Sequence, residues 1–179
     1  MRNLVLSLVG HVHALTETLA EGQAEVTIDY RDSALVEHRG THHRGAARAG
    51  DHAPDPDGLL RPDGSPVTVE DLLARPGMLL FVRGDATAVD ELRDALGDLG
   101  TTRRVVDDVA EAGSEDIVDP HGVLDRAYGL PAQGGGTMAL IRPDGYLGLV
   151  GAPADAAVLR DHLATRLRIT RPSPVRAGV

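Results

Sequence analysis

The strongest constraint on the fold is a short apolar run, Met78-Leu79-Leu80-Phe81-Val82, followed closely by a helical stripe. The run offers no polar position to turn toward water, so a strand built from it must be covered on both faces. Asp85 is placed to cap the next element, in which Val89, Leu92, Leu96 and Leu99 recur at i, i+3, i+7 and i+10, the spacing of one helix face. Gly100 ends that helix. Arg103 to Val109 holds Val105-Val106, a second strand, and two strands joined through a helix in one sheet run parallel. Asp119-Pro120-His121-Gly122 turns into a short helix ending near Tyr128-Gly129, where His121 is expected to cap a neighbouring helix. Thr137-Met138-Ala139-Leu140-Ile141 is the next strand. The tight turn Arg142-Pro143-Asp144-Gly145 returns it as Tyr146-Leu147-Gly148-Leu149-Val150, an antiparallel hairpin in which Tyr146 is expected to pack across strands. The last helix is expected from near Pro153, with Leu159, Leu163 and Leu167 on one face and His162 at the surface.

Strand, helix, strand, short helix, strand, strand, helix is the order of a thioredoxin-like α/β domain, a mixed sheet flanked by helices. Upstream of it, Thr68-Val69-Glu70-Asp71 is a capping box starting a short helix through Ala74. Arg-Pro-Asp-Gly also occurs at 61–64, read as repeated turn chemistry. Val26 to Tyr30 alternates as a strand. Leu4, Val5, Leu8, Val9, Val12, Leu15 and Leu19 line one face of a helix over residues 3–20. A secretory signal is the alternative, but His11, His13 and Glu17 interrupt the segment where its uncharged core belongs. The expected organisation is a helix-strand extension (1–36), a loop or linker (37–58), the thioredoxin-like domain (59–169) and a Pro/Arg/Gly tail (170–179) expected to be disordered. The expected location is the cytoplasm.

Composition removes whole classes of function. The chain has no cysteine, which excludes disulfides, thiolate nucleophiles and CxxC redox centres. Its 18 Lys and Arg stand against 27 Asp and Glu, so a phosphate backbone or an anionic membrane is a poor partner. Tyr30, Phe81, Tyr128 and Tyr146 are its only aromatics among Phe, Trp and Tyr, too few for a base-stacking platform. No apolar run reaches the ~20 residues of a membrane span.

Several ordered segments carry a resemblance. They are Tyr30-Arg31-Asp32-Ser33, Ala49-Gly50-Asp51-His52-Ala53-Pro54-Asp55, Asp63-Gly64, Asp119-Pro120-His121-Gly122 with Tyr128-Gly129, and Leu140-Ile141-Arg142-Pro143-Asp144-Gly145-Tyr146. Together, over roughly residues 26–168, they resemble the C-terminal thioredoxin-like domain of FAD-dependent aromatic hydroxylases, the phenol and polyketide hydroxylase type. The chain departs from the family pattern at His52, where Arg is frequent, and at Gly148-Leu149, where a large residue is frequent. In that family the domain is non-catalytic, packs beside the flavin and substrate domains and in some members contributes to dimer contacts. The resemblance therefore implies an accessory or dimerisation module in aromatic polyketide or natural-product biosynthesis. The strand–GxGxxG–helix unit that holds a dinucleotide pyrophosphate is missing, and Gly134-Gly135-Gly136 precedes a strand. No cofactor is expected, FAD included.

Two sets of residues are candidates for function. Asp51, His52 and Asp55 form a compact acid/base set, since a histidine oriented by a carboxylate works as a general base near neutral pH. The alternative is that both aspartates cap turns, as Asp beside Pro does. On the acid/base reading the chain is a small enzyme or binding protein for an aromatic polyketide-like intermediate. The second set is Leu4, Leu8, Val12 and Leu15, whose apolar stripe needs cover from this domain, a second copy or a flavoprotein partner. His38, His42, His43 and His52 cluster, but Gly40 and Gly45 argue against the helix that would aim them at one metal, and a solvated loop is expected.

Overall fold

The computed structural model describes residues 30–40, 43–130 and 136–169. Among them the elements run β1 (Glu37–Arg39), α1 (Val69–Leu73), β2 (Met78–Arg83), α2 (Ala86–Leu96), β3 (Gly100–Val106), β4 (Ile117–Val118), α3 (Val123–Tyr128), β5 (Thr137–Ile141), β6 (Leu147–Gly151) and α4 (Ala156–Thr165). The strands form one sheet in the order β1-β6-β5-β2-β3-β4. β2 and β3 are parallel, as their helical connection requires, and β5 is antiparallel to both β2 and β6. This is the expected thioredoxin-like α/β sheet, extended at one edge by β1, which runs parallel to β6.

Both faces of β2 are buried, and its pleat divides the core in two. Leu79 and Phe81 join Ala139, Ile141, Leu147, Leu124 and Tyr128 on the face covered by α3 and the chain before α1. Leu80 and Val82 join Met138, Leu140 and Leu149 on the other face, against Val89, Leu92 and Leu96 of α2 and Leu159 and Leu163 of α4. Fully burying a Leu or Phe side chain contributes roughly 1.5–3 kcal/mol, so this alternation fixes the register of the central strand. The local signals upstream and downstream behave as read. The Thr68–Asp71 capping box is closed in both directions, and Asp85 caps α2 through the Ala88 amide. Both Arg-Pro-Asp-Gly segments close the same turn, with the Gly64 amide on the Arg61 carbonyl and the Gly145 amide on the Arg142 carbonyl.

Several features differ from expectation. α2 ends at Leu96 on Gly97, short of Leu99 and of Gly100, which opens β3, and Ile117–Val118 forms a strand that the sequence reading lacked. Glu37–Arg39 forms a strand inside the stretch read as loop, and Val36, Ala49 and Ala53 lie in the same buried cluster as Phe81. Glu-His-Arg has no apolar alternation to announce a strand; its backbone pairing with β6 makes it one. α4 begins at Ala156 with Asp155 as its cap, a turn later than the proline marked. His162 is wholly buried rather than at the surface, because α4 turns it toward β1. The helix expected over 3–20, the Val26–Asp29 part of the expected first strand and the 170–179 tail lie outside the described residues.

Candidate functional site

Three of the sequence segments meet at one place, the outer end of the β5–β6 hairpin. Gly50 to Ala53 lies alongside Gly145 to Leu147. The Gly50 amide donates to the Leu147 carbonyl (2.7 Å), the Leu147 amide to Asp51 (2.9 Å) and the Ala53 amide to Gly145 (2.8 Å). His52 is bridged to Tyr146. The Tyr30–Ser33 turn crosses over this ribbon, with the Tyr30 amide on the Gly50 carbonyl at 2.8 Å. Gly50 has φ +97°, and a Cβ there would stand 2.4 Å from the Arg31 nitrogen, so only glycine permits the crossing.

The polar side chains complete the clasp. Arg31 grips Asp51 with two nitrogens, Nε to Oδ1 at 2.5 Å and Nη2 to Oδ2 at 3.1 Å, and the Arg48 amide adds a third bond at 2.9 Å. Partial burial works against ionising Asp51, but the Arg31 and Arg48 hydrogen bonds outweigh it and hold the carboxyl below its usual range. Asp55 turns elsewhere. Its oxygens accept the Val69 amide (2.7 Å) and the Glu70 amide (3.4 Å) at the start of α1. Between them, the buried Tyr128 hydroxyl donates to the Pro54 carbonyl at 2.5 Å. His52 is exposed, with Nδ1 3.2 Å from the Ala53 carbonyl oxygen and its ring edge-on to Tyr146 at 5.4 Å. Tyr146 in turn meets Tyr30 edge-on at 4.8 Å, and the Arg142 guanidinium lies 6.0 Å from the Tyr30 ring centre. Asp51 and His52 therefore share the hairpin end, while the Asp55 carboxylate is committed to α1. Leu4, Leu8, Val12, Leu15 and His42 lie outside the described residues. Among the described residues no group of three His, Cys, Asp or Glu is placed to hold a metal.

A second constellation, at the end of β2, was not foreseen from the sequence. Arg83 is buried and its Nε donates to Asp125 (2.8 Å), its Nη1 to Asp107 (2.6 Å), while Nη2 faces Asp119 at 3.7 Å. Burial works against the Arg83 charge, but the bonds to Asp125 and Asp107 more than restore it. Asp119, fully buried, also accepts the Val123 (2.8 Å), Leu124 (2.9 Å) and Asp125 (3.4 Å) amides at the start of α3, which is the capping task expected of His121. The three aspartates are scattered in sequence. The one local signal was an arginine closing an apolar strand. A cleft of about 410 Å³ opens beside Arg83, lined also by Asp85, Arg104, Asp107, Glu111 and Gly136.

That cleft lies where β2 passes into α2, where a strand–turn–helix unit could hold a dinucleotide. The residues present do not fit FAD. The turn is Arg83-Gly84-Asp85 without further glycines, and the Asp85 carboxylate already caps the helix N-terminus, placing negative charge where a pyrophosphate would sit. Thiol chemistry is equally excluded at this junction, as the chain has no cysteine.

Fold and site together define a thioredoxin-like domain whose conspicuous polar groups hold backbone segments in place. No protein-family model and no curated protein sequence matches the chain. Among solved structures, aklavinone-11 hydroxylase, in a ternary complex with FAD and aklavinone, is similar with a TM-score of 0.59 and 24% identity over 80% of this chain and 26% of that one. The flavin-dependent monooxygenase PieE, in complex with FAD and substrate, matches with a TM-score of 0.56 and 21% identity over 80% of this chain and 25% of that one. A thiol peroxidase from Chromobacterium violaceum matches at 0.50 and 14% identity over 70% of this chain and 88% of that one. The chain thus has the fold of about a quarter of each hydroxylase, in keeping with the aromatic-hydroxylase resemblance of its motifs.

Proposed function

We propose that this chain is a non-redox accessory module related to the C-terminal domain of aromatic hydroxylases, working in the cytoplasm on the side of aromatic natural-product biosynthesis and assembling as a homodimer through Leu4, Leu8, Val12 and Leu15. The observation that carries the reading is the clasp at the hairpin end. The motif residues shared with the hydroxylases bond backbone and one another: Gly50 permits a crossing, Asp51 is gripped by Arg31, and Asp55 starts α1. A carboxylate so occupied is a poor general base, because it must first surrender its partners. Among the described residues no helix is long and apolar enough to cross a membrane.

Light scattering on the eluting full-length chain tests this. The expected result is a dimer at micromolar concentration that Leu8→Asp or Val12→Asp converts to a monomer with its circular dichroism intact. A monomer at every concentration, unaffected by either substitution, overturns it. Association only on mixing with a flavoprotein would replace the homodimer by that partner.

A second reading is favoured by the exposed line His52–Tyr146–Tyr30. Three rings stand edge-on to one another there, and on this reading an aromatic molecule docks against them with the expected set Asp51, His52 and Asp55 acting through His52, since Arg31 holds Asp51 and the start of α1 holds Asp55. It expects an anthraquinone probe to stabilise wild type by RT ln(1 + [L]/Kd), read as a higher melting temperature, and His52→Ala to abolish that rise. The accessory reading expects no shift.

A further inference from the structure

We propose that the contact between His162 and Glu37 is an acid-sensitive latch, holding edge strand β1 on the sheet while the imidazole is neutral and releasing it when the imidazole takes a proton. β1 is three residues long, and among the described residues β6 is its one strand neighbour. The Arg39 carbonyl also accepts the Ala152 amide at 3.4 Å, and three side-chain ties join β1 and the residues before it to α4 and the turn after it. His162 Nδ1 lies 3.3 Å from Glu37 Oε2, Arg39 Nη2 lies 3.7 Å from Asp161 Oδ2, and Arg166 Nη1 donates to the Ala34 carbonyl at 3.4 Å. The first of these is the one sealed from water, since the His162 side chain is completely buried.

A neutral imidazole suits this place. Nδ1–H donates to Glu37, and the bare lone pair of Nε2 rests on β6 where Gly148 leaves room; a Cβ at Gly148 would stand 3.5 Å from Nε2. An imidazolium does not suit it. Nε2 would carry a second proton, and it is buried with no hydrogen-bond partner. The charged groups around it are mostly of its own sign. Arg39 comes from β1 and Arg166 from the end of α4; from the hairpin, the Arg142 stem flanks Gly148 while its guanidinium pairs with Asp144. Against these stand Glu37, already bonded by Arg39 Nε at 2.5 Å, and the half-exposed Asp161. His38 sits one residue along β1, at the exposed position of the strand. Burial therefore lowers the His162 pKa, with Glu37 pulling the other way and losing.

In the released strand the imidazole meets water and takes its proton near the ordinary value of about 6.5; in the latched strand it does not. Each pH unit below that value multiplies the open-to-closed ratio by up to about tenfold, until the lowered latched pKa is reached. Glu37 adds to the effect only at lower pH, because its own pKa is ordinary once released.

Hydrogen exchange on the full-length chain, corrected for intrinsic rates, reads this directly. Amides of residues 36–40 should lose protection several-fold to about tenfold between pH 6.5 and 5.5, while β2 and β5 keep theirs. His162→Gln, which cannot titrate, should flatten that response. Should that variant fail to fold, proton resonances of the wild-type imidazole give the same information, with a His162 titration depressed below 6.5 expected. Protection of 36–40 that is constant across this range, an equal loss in His162→Gln, or a His162 titration at or above the ordinary value each overturns the proposal.

Discussion

Gly50→Ala is the sharpest test of the clasp. Two costs add at this position. The backbone sits at φ +97°, where an L side chain is strained by about 1–2 kcal/mol. The new Cβ also meets backbone, with the Arg31 nitrogen at 2.4 Å and the Tyr30 carbonyl carbon at 2.5 Å, so no rotamer change relieves it. Overpacking of that kind costs about 1–3 kcal/mol, for a sum of about 2–5 kcal/mol. In a domain of this size each kcal/mol moves the melting temperature by about 2–4 °C, so a fall of about 4–20 °C is expected in a thermal scan followed by circular dichroism. Gly45→Ala isolates the first cost, because Gly45 has φ +88° with nothing within 4 Å of the added carbon. It carries the backbone strain alone and should lose about half as much or less. Arg31→Ala removes the ion pair without adding bulk and should cost only about 0.5 kcal/mol, given a half-exposed arginine. If Gly50→Ala melts no lower than Gly45→Ala, the Tyr30–Arg31 crossing is refuted, and with it the structural role of the shared motif.

Two further outcomes follow from the buried polar groups. Arg83→Met leaves Asp119 buried and without its cation and should destabilise by about 3–5 kcal/mol, read as a lower urea midpoint; a change under 1 kcal/mol would mean that the aspartates do not depend on Arg83. Burial pushes the Tyr128 hydroxyl far above its usual value of 10.0, with Asp55 adding to the effect. Because the folded pKa is raised, its contribution to stability is complete below pH 10 and fades as pH rises. In an ultraviolet titration the Tyr128 phenolate should emerge only together with unfolding, and a phenolate at that position in a chain still folded at pH 11 would contradict its burial.

Much of the fold was legible because it depends on local signals. The apolar run 78–82 could only be a doubly covered strand, and the Val89–Leu92–Leu96 stripe, the Asp85 cap and the 142–145 turn each specify geometry within a few residues. β1 was not legible, because Glu37-His38-Arg39 has polar side chains and becomes a strand only through backbone bonds to a segment more than a hundred residues on. His162 was misread for the same reason. Its surroundings, Glu37 and Gly148, come from other strands, and helical spacing alone cannot say which side of α4 finds a partner. At the candidate site the sequence named Asp51, His52 and Asp55 as neighbours along the chain. It did not reveal that Arg31 would hold the first, or that the third would turn to α1, since both partners are tertiary contacts. The Arg83 cluster was invisible in one dimension, as Asp107, Asp119 and Asp125 gather around it only once β3 and α3 are in place.

The carboxylate of Asp85 at the head of α2 has a consequence for anyone wishing to endow this scaffold with redox activity. A reactive thiol depends on a helix N-terminus whose unsatisfied amides favour the thiolate. In this chain the Ala88 amide is already bonded to Asp85 at 2.9 Å, and the site carries a fixed negative charge. For a cysteine grafted at Gly84 or Ala86, the Asp85 carboxylate would oppose the pull of Arg83 and Arg104 in the same cleft toward the thiolate. Catalytic competence at that position begins with replacing Asp85, before any sulfur is added.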